Sequence, residues 1–74
     1  MNELDTVVLR RALPDFGLVE GDVGAIVHDH APDAFEVEFA TGEGTTLAVV
    51  TLGAADLRPI DAHDLLHVRT VAHG

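Results

Sequence analysis

Apolar and polar residues alternate in the middle of the chain with the two-residue period of a half-buried β-strand. Over residues 35–39, three apolar side chains point to one side, and Glu36 and Glu38 point to the other. One face of this strand is therefore predicted to be buried and the other to face water. The Gly-containing stretch 41–44 that follows predicts a hairpin leading into the next strand.

Four further segments are predicted to be short strands, because Val, Thr and Ile are frequent in them and turn residues bound them. They are residues 5–9, 23–27, 45–52 and 57–60. Gly24 inside a strand indicates a bulge, a sharp bend or a close approach of the backbone. Residues 53–56 are predicted to form one short helical turn, and Pro59 is predicted to place the last strand at a sheet edge.

The strand at 45–52 is apolar on both faces, so the pattern alone does not identify its buried side. We assign Leu47 and Val49 to the core, and the opposite face, which includes Val50 and Leu52, then needs a cover. The tail is the preferred cover, and a second subunit or another protein is the alternative. Phe16 and Leu18 are predicted to plug one end of the core. The predicted core consists of Val7, Leu9, Leu18, Val23, Ile26 or Val27, Phe35, Val37, Phe39, Leu47, Val49 and Leu57.

The last fourteen residues are predicted to form a tail, 61–74, outside a β-domain that spans residues 1–60. Asp61 is a suitable N-cap for a helix over 62–71, whereas Thr70 and Val71 favour an extended tail instead. The predicted fold class is all-β: a small five-stranded barrel followed by a short C-terminal helix or an extended tail.

Composition narrows the functions that this domain can perform. The chain has 74 residues, with thirteen Asp and Glu against four Arg and no Lys, and a net charge of −9. Such a surface repels nucleic acid and anionic membranes and favours a basic protein partner. The chain start does not resemble a secretory signal, and no apolar run is long enough to span a bilayer, so we expect a cytoplasmic protein.

The commonest nucleophiles of covalent catalysis are missing from the sequence. The chain contains no Ser and no Cys, which removes the commonest nucleophiles and any thiolate zinc site. Glu36 and Glu38 could act as a carboxylate pair, but nothing in the pattern indicates a pocket that would separate their pKa values. The Gly-Glu-Gly sequence at 42–44 lacks the Lys of a phosphate-binding loop. We therefore expect a protein without enzymatic activity and without a tightly bound cofactor.

The histidines are the main candidates for a metal or small-ligand site. His28 and His30 lie in the predicted loop 28–34, close to two Asp residues. His63 and His67 are four residues apart and would share one face of a tail helix. Such rings can bind Zn²⁺, Cu²⁺ or Ni²⁺ weakly, and a third ligand could come from a second copy of the chain.

Several motifs together resemble one small bacterial family. They are L-D-T-V-V-L from Leu4, L-P-D-F-G-L-x-x-G-D-V-G-A-I-V from Leu13, F-E-V-E-F from Phe35, T-L-A-V-V-T-L from Thr46 and D-L-R-P from Asp56. Over residues 4–60 the chain resembles the family of domain of unknown function 4926 (DUF4926). The resemblance implies an SH3-like barrel. It also implies an accessory or neutralising role, because some members are encoded beside toxin-like proteins.

Taken together, these observations favour a non-enzymatic protein-interaction module that binds a basic protein, with a homodimer also possible. The alternative is a protein that binds a metal or small ligand through its histidines. The residues predicted to make the interaction are Glu36, Glu38, Val50, Leu52, Leu65 and Leu66; the predicted metal ligands are His28, His30, His63 and His67.

Overall fold

The strand-forming segments and the turn residues between them produce five strands in the computed structural model, which describes residues 1–30 and 32–71. The strands are β1 (Thr6–Leu9), β2 (Val23–His30), β3 (Ala34–Ala40), β4 (Thr46–Gly53) and β5 (Leu57–Pro59). Single 3-10 turns lie at Pro14–Phe16 and Ala54–Asp56. Every predicted strand is therefore present, and the predicted helical turn before the last strand is confirmed. Residues 72–74 of the predicted tail lie outside the described residues.

The five strands form one antiparallel sheet in the order β4-β3-β2-β1-β5. The first four strands are neighbours in sequence and in space, and the chain then crosses over to place β5 beside β1, with Leu57 opposite Leu9. The predicted all-β fold of five strands is confirmed. Pro59 lies in an edge strand, as predicted, where its missing N–H removes no hydrogen bond from the interior of the sheet.

The core lies on one side of the sheet and contains side chains from all five strands. Its buried members are Val7, Leu9, Leu13, Leu18, Ile26, Phe35, Val37, Phe39, Val50, Leu52 and Leu57. Of the two alternatives Ile26 and Val27, Ile26 is the core residue; the prediction was wrong for Val23, which is only partly buried. Of the two residues predicted to plug the end of the core, Leu18 is buried, whereas Phe16 is 46% exposed and does not plug it.

Gly24 lies in β2 where the side chains of β3 come closest to its backbone. A Cβ at this position would lie 2.8 Å from Phe39 Cε1, 2.8 Å from Val37 Cγ1 and 2.9 Å from the Glu38 carbonyl oxygen. The close backbone approach predicted for this glycine is confirmed. A β-bulge also interrupts β2, but it lies after Ile26 rather than at Gly24.

The two faces of β4 are the reverse of the sequence assignment. Val50 pairs with Val37 and Leu52 pairs with Phe35, so both point into the core and are 7% and 4% exposed. Leu47 and Val49 lie outside, at 39% and 50% exposed. The pairing register with β3 decides this, because paired residues of antiparallel strands point to the same face.

The tail contains no helix over residues 61–71. Asp61 caps a single turn: its Oδ1 accepts a hydrogen bond from the His63 N–H at 2.9 Å, and its carbonyl accepts one from the Asp64 N–H at 3.0 Å. Beyond this turn the chain is irregular, so the helical prediction is wrong for these residues. In the part of the chain that the structure describes, no helix is long and apolar enough to cross a membrane.

Candidate interaction surfaces

Two carboxylates lie side by side on the outer face of the sheet. Glu38 pairs with Ala25 on one side and Val49 on the other, and Glu36 pairs with His28 and Thr51. The alternation of β3 sets this arrangement, because its apolar partners fill the core face. The Glu36 side chain is 40% exposed. The sequence prediction that both carboxylates share the outer face is therefore confirmed; whether they bind a partner stays a prediction.

Hydrogen-bond contacts orient both carboxylates on this face. Glu36 Oε1 lies 3.2 Å from His30 Nε2, and the Thr46 hydroxyl donates a hydrogen bond to Glu38 Oε2. Each contact uses one oxygen, so each carboxylate keeps further acceptor sites for a cation or an N–H donor. The pair can therefore serve as an oriented anionic patch.

Val50 and Leu52 were predicted to be interaction residues, but their side chains are core residues and are not accessible to a partner. The prediction required the side chains of Val50 and Leu52 to lie on the outer face of β4. The accessible apolar side chains of β4 are Leu47 and Val49, beside Glu38. The outer face of this strand therefore combines apolar and acidic surface.

Three of the four arginines make paired hydrogen bonds to aspartates. Their closest nitrogen–oxygen distances are 2.7 Å for Arg11–Asp56, 2.7 Å for Arg58–Asp64 and 2.6 Å for Arg69–Asp22. In each pair two guanidinium nitrogens contact the two oxygens of one carboxylate, the geometry that favours Arg over Lys. The chain has thirteen acidic side chains, and these pairs involve three of them. Ten acidic side chains therefore remain, with Arg10 as the one arginine outside the pairs.

Two of these ion pairs fasten the tail to the domain. Arg58 of β5 binds Asp64 near the start of the tail. Arg69 binds Asp22, just before β2, and also donates to the Gly17 carbonyl at 2.9 Å. Sequence analysis missed the Arg69–Asp22 pair, because residues that lie 47 positions apart show no pattern by which the pairing could be predicted.

Between the two fastened points, the tail presents apolar side chains outward. Leu65, Leu66 and Val68 are 94%, 62% and 90% exposed. We call residues 64–69 the strap. The preferred sequence interpretation, in which these side chains cover the sheet, is wrong: the strap is held by its charged ends, and its apolar residues face away from the core. Leu65 and Leu66 are therefore accessible, as an interaction role requires.

The Asp22 carboxylate makes attachment of the strap dependent on pH. Hydrogen bonds from Arg69 lower the pKa of Asp22 below its ordinary value; the Val19 N–H acts in the same direction, and partial burial opposes both. A carboxylate with a lowered pKa in the folded state contributes stability above its unfolded pKa of about 3.9 and loses it as the pH falls through the folded value.

We therefore expect residues 67–71 to stay attached at neutral pH and to detach as the pH falls through the lowered pKa of Asp22, because protonated Asp22 no longer pairs with Arg69. Nuclear magnetic resonance of the tail amides during an acid titration measures this. Asp22→Asn should detach the same residues at pH 7, since an amide can still accept from Val19 but carries no charge for Arg69. Tail signals that are identical in the variant and the wild type at pH 7 would contradict the assignment.

The structure places the four candidate histidines in two separate regions. His28 and His30 lie in β2, not in a loop; their ring centroids are 4.4 Å apart, and His28 Nδ1 is 3.7 Å from Glu3 Oε1. His63 and His67 lie in the non-helical tail, so the shared helix face that suggested a joint site does not exist. Within residues 1–30 and 32–71, no three His, Asp or Glu side chains are grouped to hold a metal ion. Metal binding by these residues stays a prediction.

Comparisons with known proteins add one finding. The model of the family described as domain of unknown function (DUF4926) matches residues 3–59. That range includes all five strands and excludes the strap. Neither the curated proteins nor the solved structures gave a match.

Proposed function

Since this chain belongs to the DUF4926 family, whose description states no activity, we propose from its own surface that it is a protein-interaction module for a basic protein partner. In this proposal the strap supplies the apolar contact and the acidic surface supplies attraction and orientation.

The observation that carries the proposal is the exposure of the strap. Three of its four interior residues are large and apolar, and they are 94%, 62% and 90% exposed although bidentate ion pairs fasten both ends. Scattered exposed apolar residues are ordinary on a protein surface. A cluster in a segment that is held in place is different, because its ordering entropy has largely been lost before binding. Such a segment is suited to insertion into an apolar groove on a partner.

The charge distribution specifies what kind of partner fits. Three arginines are engaged with aspartates within the chain, so the remaining Asp, Glu and Arg side chains are almost all acidic. A potential of one sign speeds association with a partner of the opposite sign and excludes partners of the same sign. Nucleic acid and a second copy of this chain are both disfavoured on this ground. If the basic partner is an enzyme with a cationic active site, binding over that site would neutralise it.

Capture of the tagged chain from its native lysate, followed by titration of the purified partner, tests the proposal. We expect one stoichiometric basic protein whose association rate falls as salt increases. The triple variant Leu65→Ser, Leu66→Ser, Val68→Ser should weaken this partner's binding by about 100-fold, as loss of a hot-spot cluster does.

Leu4→Ser is the matched control, because it makes the same kind of change at a residue that is 84% exposed and lies outside the strap. Its affinity should stay within about twofold of the wild type. The proposal fails if no basic protein is captured at any salt concentration. It also fails if the triple variant binds the partner as tightly as the control does.

A further inference from the structure

The two edges of the sheet differ sharply in how they are protected. The β5 edge has only three residues, contains Pro59, and carries Arg58 paired with Asp64 of the tail. The β4 edge has eight residues and pairs only with β3 among the described strands. Tail residues His67–Val71 share a groove of about 710 Å³ with the start of β4 rather than pairing with it.

Hydrogen bonding elsewhere in the sheet identifies the backbone groups on the open side of β4. The Ile26 N–H donates to the Asp5 carbonyl, away from β3, so Ile26 and Val37 are a pair without mutual hydrogen bonds. Val37 must then bond to its other partner, Val50. Alternation along the strand turns the N–H and C=O groups of Val49 and Thr51 outward.

The sequence of β4 lacks the features that normally block an edge. Natural edge strands are short, or carry charged residues, Pro or inward-pointing Lys. The segment T-L-A-V-V-T-L-G has no charged residue and no Pro, and its Thr and Val residues favour extended backbone. This edge is therefore suited to receive another strand.

The negative charge of the chain favours a basic strand at the β4 edge. A second copy would bring another net charge of −9 to the same face. A strand added at β4 would lie two strand spacings, about 9.6 Å, from Glu36 and Glu38 on β3. A Lys or Arg side chain crossing the small Val49 and Thr51 side chains can reach these carboxylates, because the two side chains together span that distance. The patch therefore complements a basic strand.

We propose that an extended segment of the basic partner, with Lys or Arg at alternate positions, adds to the sheet along the open edge of β4. Its backbone pairs with Val49 and Thr51, and its basic side chains lie over Glu36 and Glu38. This inference rests on the proposed function and specifies its binding mode. The main-chain bonds supply affinity, and the alternating charges select the segment.

Two probe peptides of equal length and charge separate pairing from simple charge attraction. One alternates Lys with Val, and the other alternates Lys with Pro, which has no N–H to donate. We expect the Lys-Val peptide to bind about tenfold more tightly and to protect the Val49 and Thr51 amides from hydrogen exchange. Thr51→Pro should remove this preference and keep the fold, since the missing N–H points outward. Thr51→Ala, which keeps its N–H, should retain the preference.

Each other outcome has a definite meaning. Equal binding of both peptides, without amide protection, overturns strand addition and leaves the acidic-surface proposal standing. Failure of both peptides to bind at low salt also overturns strand addition, whereas the capture experiment and the strap variant decide the proposed function. Sedimentation of the chain alone tests whether a second copy occupies the edge instead. A dimer that dissociates in the Thr51→Pro variant would show this and would overturn the proposal. The peptide comparison and amide exchange still decide the matter if Thr51→Pro does not fold.

Discussion

Gly24→Ala should destabilise this domain by about 3 kcal/mol, because the added methyl group has no space. Its Cβ would lie 2.8 Å from two side-chain carbons of β3 and 2.9 Å from the Glu38 carbonyl oxygen. The side chains of Val37 and Phe39 are buried in the core and have little room to move. The carbonyl belongs to the neighbouring strand, so relieving that contact would shift the sheet itself.

Such a loss would be large for a domain of this size. Total stability is roughly 0.05–0.15 kcal/mol per residue, or about 4–11 kcal/mol for this chain of 74 residues. The melting temperature should fall by roughly 15 °C. Circular dichroism or calorimetry is the suitable measurement, because the chain has no Trp or Tyr for fluorescence.

Gly42→Ala is the matched control, since a Cβ at that position meets nothing within 4 Å. Its stability should be unchanged or up to about 1 kcal/mol higher, through a smaller entropy of the unfolded chain. Equal melting temperatures for Gly24→Ala and Gly42→Ala would show that β2 and β3 do not approach as closely as the structure describes.

The sequence predicted the fold well wherever one face of an element is polar. The alternation of Glu36 and Glu38 with apolar neighbours identified both faces of β3, and Pro59 identified an edge. The prediction was wrong for the strand whose two faces are both apolar. In β4 only the pairing of Val50 with Val37 distinguishes inside from outside, and register is a property of two strands rather than one.

The prediction of a helical tail was wrong for a different reason. Asp61 does begin a turn, as its capping preference indicates, but no helix follows. Arg58 and Arg69 hold the tail instead, and Asp22, the partner of Arg69, lies far away in the sequence. Patterns of neighbouring residues in the sequence do not indicate contacts between residues that are far apart along the chain. The exposure of the strap was hidden for the same reason, because the apolar spacing of Leu65 and Val68 also fits a helix packed on the sheet.

The Val50→Thr and Val49→Thr variants should separate the two faces of β4 by a large difference in stability. Thr has the shape of Val and is equally suited to strands, so the hydroxyl group is the main change. At Val50, which is 7% exposed, that hydroxyl would be buried against Val37 and other apolar side chains. We expect a loss of about 2 kcal/mol, the desolvation cost of an unsatisfied polar group, and a melting temperature roughly 10 °C lower. Val49→Thr, at a half-exposed position, should stay within about 0.5 kcal/mol of the wild type.

The same pair of variants also tests the basis of the proposed strand addition. Residues that share a face of a strand also direct their N–H groups to the same side, because both properties alternate with a period of two. If Val49→Thr were the destabilised variant, Val49 would face the core and the register with β3 would be shifted by one residue. The N–H groups of Val49 and Thr51 would then point toward β3, and they would not be available to a partner strand. The expected result therefore supports both the buried face of β4 and the identity of its open backbone groups.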